Sequence, residues 1–198
     1  MTDSIEIGAG VPRRRSRVRR AIGRSVLTLS GWKLDIRVPD EPKLVVIAAP
    51  HTSNWDFVFA MATILALELD LHWFGKHSLF KGIWNRPLRA IGGIPIDRGG
   101  AGGVVRQTAL AFERREHLII GLAPEGTRSR VTAWKRGFYH LASTANVPVL
   151  AAWIDYRSKT VGAGPVFRPS GDWSADMAPI FALYRSVGPK KPENFATE

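Results

Sequence analysis

Leu44-Val-Val-Ile-Ala-Ala-Pro-His-Thr-Ser-Asn-Trp-Asp-Phe-Val-Phe59 is the stretch from which the fold is read. The apolar run Leu44 to Ala49 ends at Pro50. A short continuous apolar run closed by a turn signal predicts a buried strand. Phe57 to Leu71 follows, nearly all apolar, with Glu68 and Asp70 near its end. It is shorter than the roughly 20 residues a membrane span needs, so it predicts a buried or half-embedded helix. Between strand and helix stands a polar cluster, His51-Thr-Ser-Asn-Trp-Asp56.

The same alternation runs outward along the chain. Strands are predicted at Leu71 to Gly75, Gly93 to Ile96, His117 to Ala123, Val147 to Ile154 and Thr160 to Phe167, the last pairing with its predecessor. Helices are predicted at Leu79 to Ile91 with a break at Pro87, at Val104 to Glu116, Trp134 to Ala145 and Ala175 to Ser186. Pro95 puts its strand at an edge or a strand end. Strands alternating with helices predict an α/β fold: a mostly parallel central sheet flanked by helices.

At 198 residues the chain is sized for one domain. It has no cysteine, which removes disulfides, thiolate nucleophiles and cysteine metal sites. His51, His72, His77, His117 and His140 show no zinc-ligand spacing, so no metal is expected. The net charge of +11 draws the chain to polyanions without choosing among them. Seven arginines crowd the stretch from Arg13 to Arg24, and the mildly apolar Ser25 to Trp32 follows. That pairing fits an interfacial segment on anionic lipid, with a disordered basic tail as the plainer reading. Residues 1–12 carry no periodic pattern and are expected to fray. Nucleic-acid binding fits the charge, but no binding motif is present and the most distinctive segments carry Asp56 and Glu125.

Residues just past the carboxyl ends of strands face the ligand crevice of an α/β fold. Two polar clusters hold such positions. In the first, Ser53 caps the helix with Asp56 three residues on, a capping pair in its own right. Asp56 can also orient the imidazole of His51, leaving the other nitrogen to take a proton from a hydroxyl. Backbone amides at the helix start after Ser53 are candidate oxyanion donors. The second cluster is Pro124-Glu-Gly-Thr-Arg-Ser129. Gly126 permits a tight turn, and Arg128, with Arg130 nearby, suits a phosphate. The plainer alternative is a solvated turn with an internal Glu–Arg pair. A third segment ends in Asp97-Arg98, another positive group if it faces the crevice and otherwise a surface pair.

His51-x4-Asp56, Gly93-x3-Asp97-Arg98, Pro124-Glu-Gly-Thr-Arg128-Ser129 and Val147-Pro-Val149 together resemble the glycerolipid acyltransferase family, which includes the 1-acylglycerol-3-phosphate acyltransferases. The likeness spans roughly residues 44–154. It implies that fold, with residues 32–198 as one acyltransferase domain behind a basic segment, 1–31, that is partly disordered or membrane-interfacial. It implies transfer of a fatty acyl group from acyl-CoA or acyl carrier protein to a lysophospholipid hydroxyl, with 1-acylglycerol-3-phosphate foremost. His51 is then the base and Asp56 its partner, while Arg98, Glu125, Gly126, Thr127 and Arg128 contact the acceptor. Lys135 resembles a basic family position. Phe57's helix and the tryptophans at 73, 84 and 134 are candidates for an acyl groove, or for ordinary core. No cofactor and no nucleic-acid partner are expected. The expected place is the cytoplasmic face of a membrane, peripheral or monotopic. A non-phosphorylated lyso-aminolipid acceptor and a non-catalytic lipid-binding protein of the same fold remain the alternatives.

Overall fold

Residue by residue, the first predicted strand divides the molecule in two. Leu44 and Val46 point into one apolar cluster, Val45 and Ile47 into another. Alternation across a pleated strand sends neighbours to opposite faces, so this strand is covered on both sides and runs near the middle of a sheet. The computed structural model describes residues 3–96 and 101–195. Its sheet comprises β1 (Ser4–Ile7), β2 (Lys33–Val38), β3 (Lys43–Ala48), β4 (Leu71–Lys76), β5 (Gly93–Ile96), β6 (Leu118–Leu122), β7 (Val149–Asp155) and β8 (Thr160–Phe167). The spatial order is β1-β2-β8-β7-β3-β6-β4-β5. Among the pairings of these strands only β7 with β8 is antiparallel. The mostly parallel sheet flanked by helices is therefore the observed fold. Pro95 sits on β5, at the sheet edge.

Helices α1 (Arg17–Ser30) and α2 (Asn54–Ala66) cover one face, with Leu27, Trp32, Phe59 and Ile64 in the core beneath them. Helices α4 (Ala101–Arg114), α5 (Gly137–Ala145) and α6 (Trp173–Ser186) cover the other with Phe112, Phe138, Met177 and Tyr184. The short α3 (Asn85–Ala90) precedes β5. The helix predicted over 79–91 starts only at Asn85, after two 3-10 turns, which leaves Pro87 in its first turn, where its missing N–H costs no helical bond.

The amino-terminal region differs from expectation. Ser4–Ile7 pairs in register with Asp35 to Val38 and completes the sheet rather than fraying. The arginine run enters α1, capped by Ser16, whose hydroxyl accepts from the Arg19 N–H at 3.3 Å. Several of its cations bind the protein itself. Arg13 donates to the Leu67 carbonyl, Arg14 to the Ala90 carbonyl at 2.8 Å, and Arg20 lies 3.6 Å from Glu68. Gly23 sets the close approach of α1 to α2: a Cβ there would lie 2.4 Å from both the Ala62 carbonyl oxygen and the Ala66 nitrogen. No described helix is long and apolar enough to cross a membrane.

Candidate active site

β3 and β6 run parallel with Ile47 beside Leu122, so the loops that follow them leave at one edge. His51 follows β3 and Glu125 follows β6, and the register brings them together: the His51 N–H donates to Glu125 Oε2 at 2.8 Å. The two polar clusters thus meet.

Asp56 is the most heavily used group there. It is the third helical residue behind the Ser53 cap and closes a full capping box. Its Oδ2 accepts the Thr52 and Ser53 N–H groups, each at 2.7 Å, and its Oδ1 accepts the Tyr156 hydroxyl at 2.7 Å. His51 Nδ1 stands 3.6 Å from Oδ2. That exceeds a hydrogen bond, and the attraction is electrostatic; catalytic pairs commonly tighten once substrate is bound. Nδ1 faces the carboxylate, so Nε2 is the nitrogen left for a substrate. Asp56 thus caps the helix while its carboxylate also faces His51. Several amides around the helix start are already engaged: those of Thr52 and Ser53 go to Asp56, that of Trp55 to Ser53 Oγ and that of Asp56 to the Ser53 carbonyl.

Burial holds the His51 imidazole below its ordinary pKa; Asp56 opposes this and the Arg128 charge adds to it. His51 is therefore neutral near pH 7, the form a base requires. Burial pushes the Glu125 carboxyl up to about 7, against the His51 N–H bond and with help from the Asp56 charge. Its Oε1 is buried without a partner. Burial, then Asp56, raises the Tyr156 hydroxyl, so it stays a donor.

Gly126 turns with φ +68, and a Cβ there would meet the Lys135 ammonium at 2.8 Å. The glycine thus brings Lys135 over the turn, and the Lys135 N–H donates to the Pro124 carbonyl at 2.9 Å. Thr127, Arg128 and Arg130 are exposed on the same loop, with Thr127 Oγ1 accepting the Ser129 N–H at 3.3 Å. Arg98 lies outside the described residues. No described group of acidic and histidine side chains is arranged to hold a metal.

Between α2 and the sheet lies a cavity of about 220 Å³. His51 and Asp56 line one end, and Leu67, Leu69 and Leu71, beyond the far end of α2, line it as well. Thr63 is the other polar side chain in its wall. Of the candidate groove aromatics, Phe57 and Trp73 line it. Trp134 does not, because it packs on the opposite face of the sheet against Phe181 and Tyr184, and Trp84 is exposed.

Tyr156 was missed in the sequence, though the signal existed. It follows β7, and β7 runs parallel to β3, so the rule that singles out His51 and Glu125 covers it too. Its flanks, Asp155 and Arg157, read as an ordinary turn.

Fold and site define an α/β protein carrying a histidine–carboxylate pair where a central strand passes into a helix, at the end of an apolar cavity. The chain belongs to the acyltransferase family, whose model matches residues 36–155. Membership makes it an acyltransferase, with an acyl donor and a lipid acceptor as substrates. Its fold is similar to the crystal structure of PlsC, the 1-acyl-sn-glycerophosphate (LPA) acyltransferase from Thermotoga maritima. The TM-score is 0.63 at 18% identity, over 86% of this chain and 77% of that one. A search of curated protein sequences found no match.

Proposed function

We propose that this chain acylates the free hydroxyl of a lysophospholipid, with 1-acylglycerol-3-phosphate as the foremost acceptor and acyl-CoA or acyl carrier protein as donor. The observation that carries the reading is the placement of His51 and Asp56 at the end of a cavity walled almost entirely by apolar side chains. Such a site takes the acyl chain into the cavity and holds the thioester carbonyl beside the imidazole. His51 Nε2 removes the acceptor's proton as its oxygen attacks the carbonyl, and Asp56 offsets the charge of the imidazolium. The thioester C–S bond breaks and the thiolate leaves. No cofactor is required in this scheme. Glu125, whose Oε1 is buried without a partner, takes up an acceptor hydroxyl in this scheme, and Gly126, Thr127, Arg128 and, by resemblance, Arg98 contact its polar head. Arg128, Arg130 and Lys135 favour a phosphate there, since guanidinium matches it bidentately. A lipid acceptor together with an acyl-CoA or acyl carrier protein donor fits action at the cytoplasmic face of a membrane, as a peripheral or monotopic protein.

The test is acyl transfer from a long-chain acyl-CoA, and from acyl carrier protein, to a panel of lysolipids by wild type and His51→Ala. Transfer to lysophosphatidic acid is expected, with loss of at least about 100-fold in the variant and an unchanged circular dichroism spectrum. Near-normal turnover in the variant removes His51 as base. Turnover with a non-phosphorylated acceptor alone removes the phosphate site.

A further inference from the structure

We propose that the edge of the sheet holding the catalytic loops is also the membrane-docking face, and that residues 76–89 are its anchor on anionic lipid.

β4 runs parallel to β6, and β6 to β3. The chain therefore leaves β4 at the edge where His51 and Glu125 stand. The segment it enters is built inside out. Phe80 is buried, its ring 5.9 Å from that of Trp73, and pins the segment to the body. Around that pin Leu79, Ile83 and Trp84 are 54%, 83% and 62% exposed. Single exposed apolar side chains are ordinary, whereas three within six residues on one loop call for an occupant.

Charge selects the occupant. Lys76, Lys81, Arg86 and Arg89 are exposed among these residues, and no acidic residue occurs from Leu71 to Ile96. Apolar tips with an indole, ringed by cations, match the boundary between headgroups and acyl chains of an anionic bilayer. A nucleic acid matches the cations and leaves the tips unsatisfied.

The same edge carries two more exposed apolar residues. Trp55, 56% exposed, stands in the first turn of α2, directly after the His51 loop. Leu29 is exposed at the carboxyl end of α1. That end lies beside the start of α2, since Trp32 stacks on Phe59 at 4.1 Å while Arg13 binds the Leu67 carbonyl beyond the other end of α2. By the same contacts the arginine run begins at the opposite edge.

This assignment rests on the lipid-acceptor reading for its purpose, yet its first readout needs no turnover. The full chain is sedimented with vesicles of equal parts phosphatidylglycerol and phosphatidylcholine, and with phosphatidylcholine alone. Wild type is expected to partition to the anionic vesicles and to be released by salt. Leu79→Ser, Ile83→Ser and Trp84→Ser combined should weaken partitioning at least about tenfold. Lys81→Glu with Arg86→Glu should weaken it by about fivefold or more per site. The altered side chains are exposed, so the thermal midpoint should hold. Turnover of a vesicle-borne lysolipid should fall with partitioning, while turnover of a monomeric short-chain acceptor stays. Partitioning that survives the triple variant overturns the proposal. So does partitioning lost instead in Val18→Ser with Ile22→Ser on α1, or wild type that binds DNA and no vesicle. Partitioning that follows the prediction without turnover of either acceptor supports the docking face and removes the proposed reaction.

Discussion

At the residue scale, the site is a chain of borrowed orientation. Tyr156 holds Asp56, and Asp56 faces His51. Tyr156→Phe removes the hydroxyl from a charged acceptor, and kcat should fall about tenfold. Without that donor the carboxylate's charge is less dispersed, so the His51 pKa rises. The acid limb of the kcat/KM profile should then move to higher pH, a shift that simple loss of packing would not produce. Glu125 makes a second prediction, through stability. Its folded pKa, about 7, lies above the ordinary 4.5, so the native state binds the extra proton between those values. Its contribution is full below 4.5 and is lost as pH rises through about 7, on the order of 3 kcal/mol in all. His51, with a lowered pKa, contributes in the opposite sense below 6.5. Urea melts across pH 4 to 8 should show the wild-type minus Glu125→Gln stability difference falling toward neutrality; a flat difference places Glu125 in a wetter setting.

At the scale of elements, the contact of α1 on α2 leaves no room for a side chain at Gly23. Gly23→Ala improves helix propensity by about 1 kcal/mol, yet its new methyl meets backbone atoms that have no rotamer to yield. A net loss of about 1–3 kcal/mol is expected, read as a lower urea midpoint at unchanged slope. How much was legible divides along similar lines. β3, β6 and β7 are continuous apolar runs, and their burial on both faces is what such runs encode. The motif loops after β3 and β6 were readable because strand ends and polar clusters coincide there. β1 and α1 were not. Ser4–Ile7 alternates polar and apolar residues over only four positions, too short a run to stand out, and it is mostly exposed at the sheet edge, held by the β2 backbone. In α1 the arginines mask a helix whose seat on α2 depends on Gly23 and Leu27. Tyr156 carries no local signal of its partner, which lies 100 residues away in the chain.

At the scale of the whole molecule, the cavity runs along α2 beneath the helix and away from the edge that carries His51. Ala60 lies in its wall, midway along α2. Ala60→Leu fills that stretch, and the donor preference should move to shorter acyl chains. Each methylene left outside costs about 0.8 kcal/mol, roughly fourfold in kcat/KM. A series of acyl-CoA lengths tests this; an unchanged optimum places the acyl chain elsewhere. The lining has one further consequence. Leucine side chains and lipid tails are nearly equal as solvents for hydrocarbon. Under the proposed reading, a donor's acyl chain that reaches the cavity through the lipid exchanges one oily surrounding for another, and its free energy changes little. Selectivity among such chains then comes from length and shape rather than greasiness, and for a lipid-borne acceptor a Michaelis constant has meaning as a mole fraction in the lipid rather than as a concentration in water.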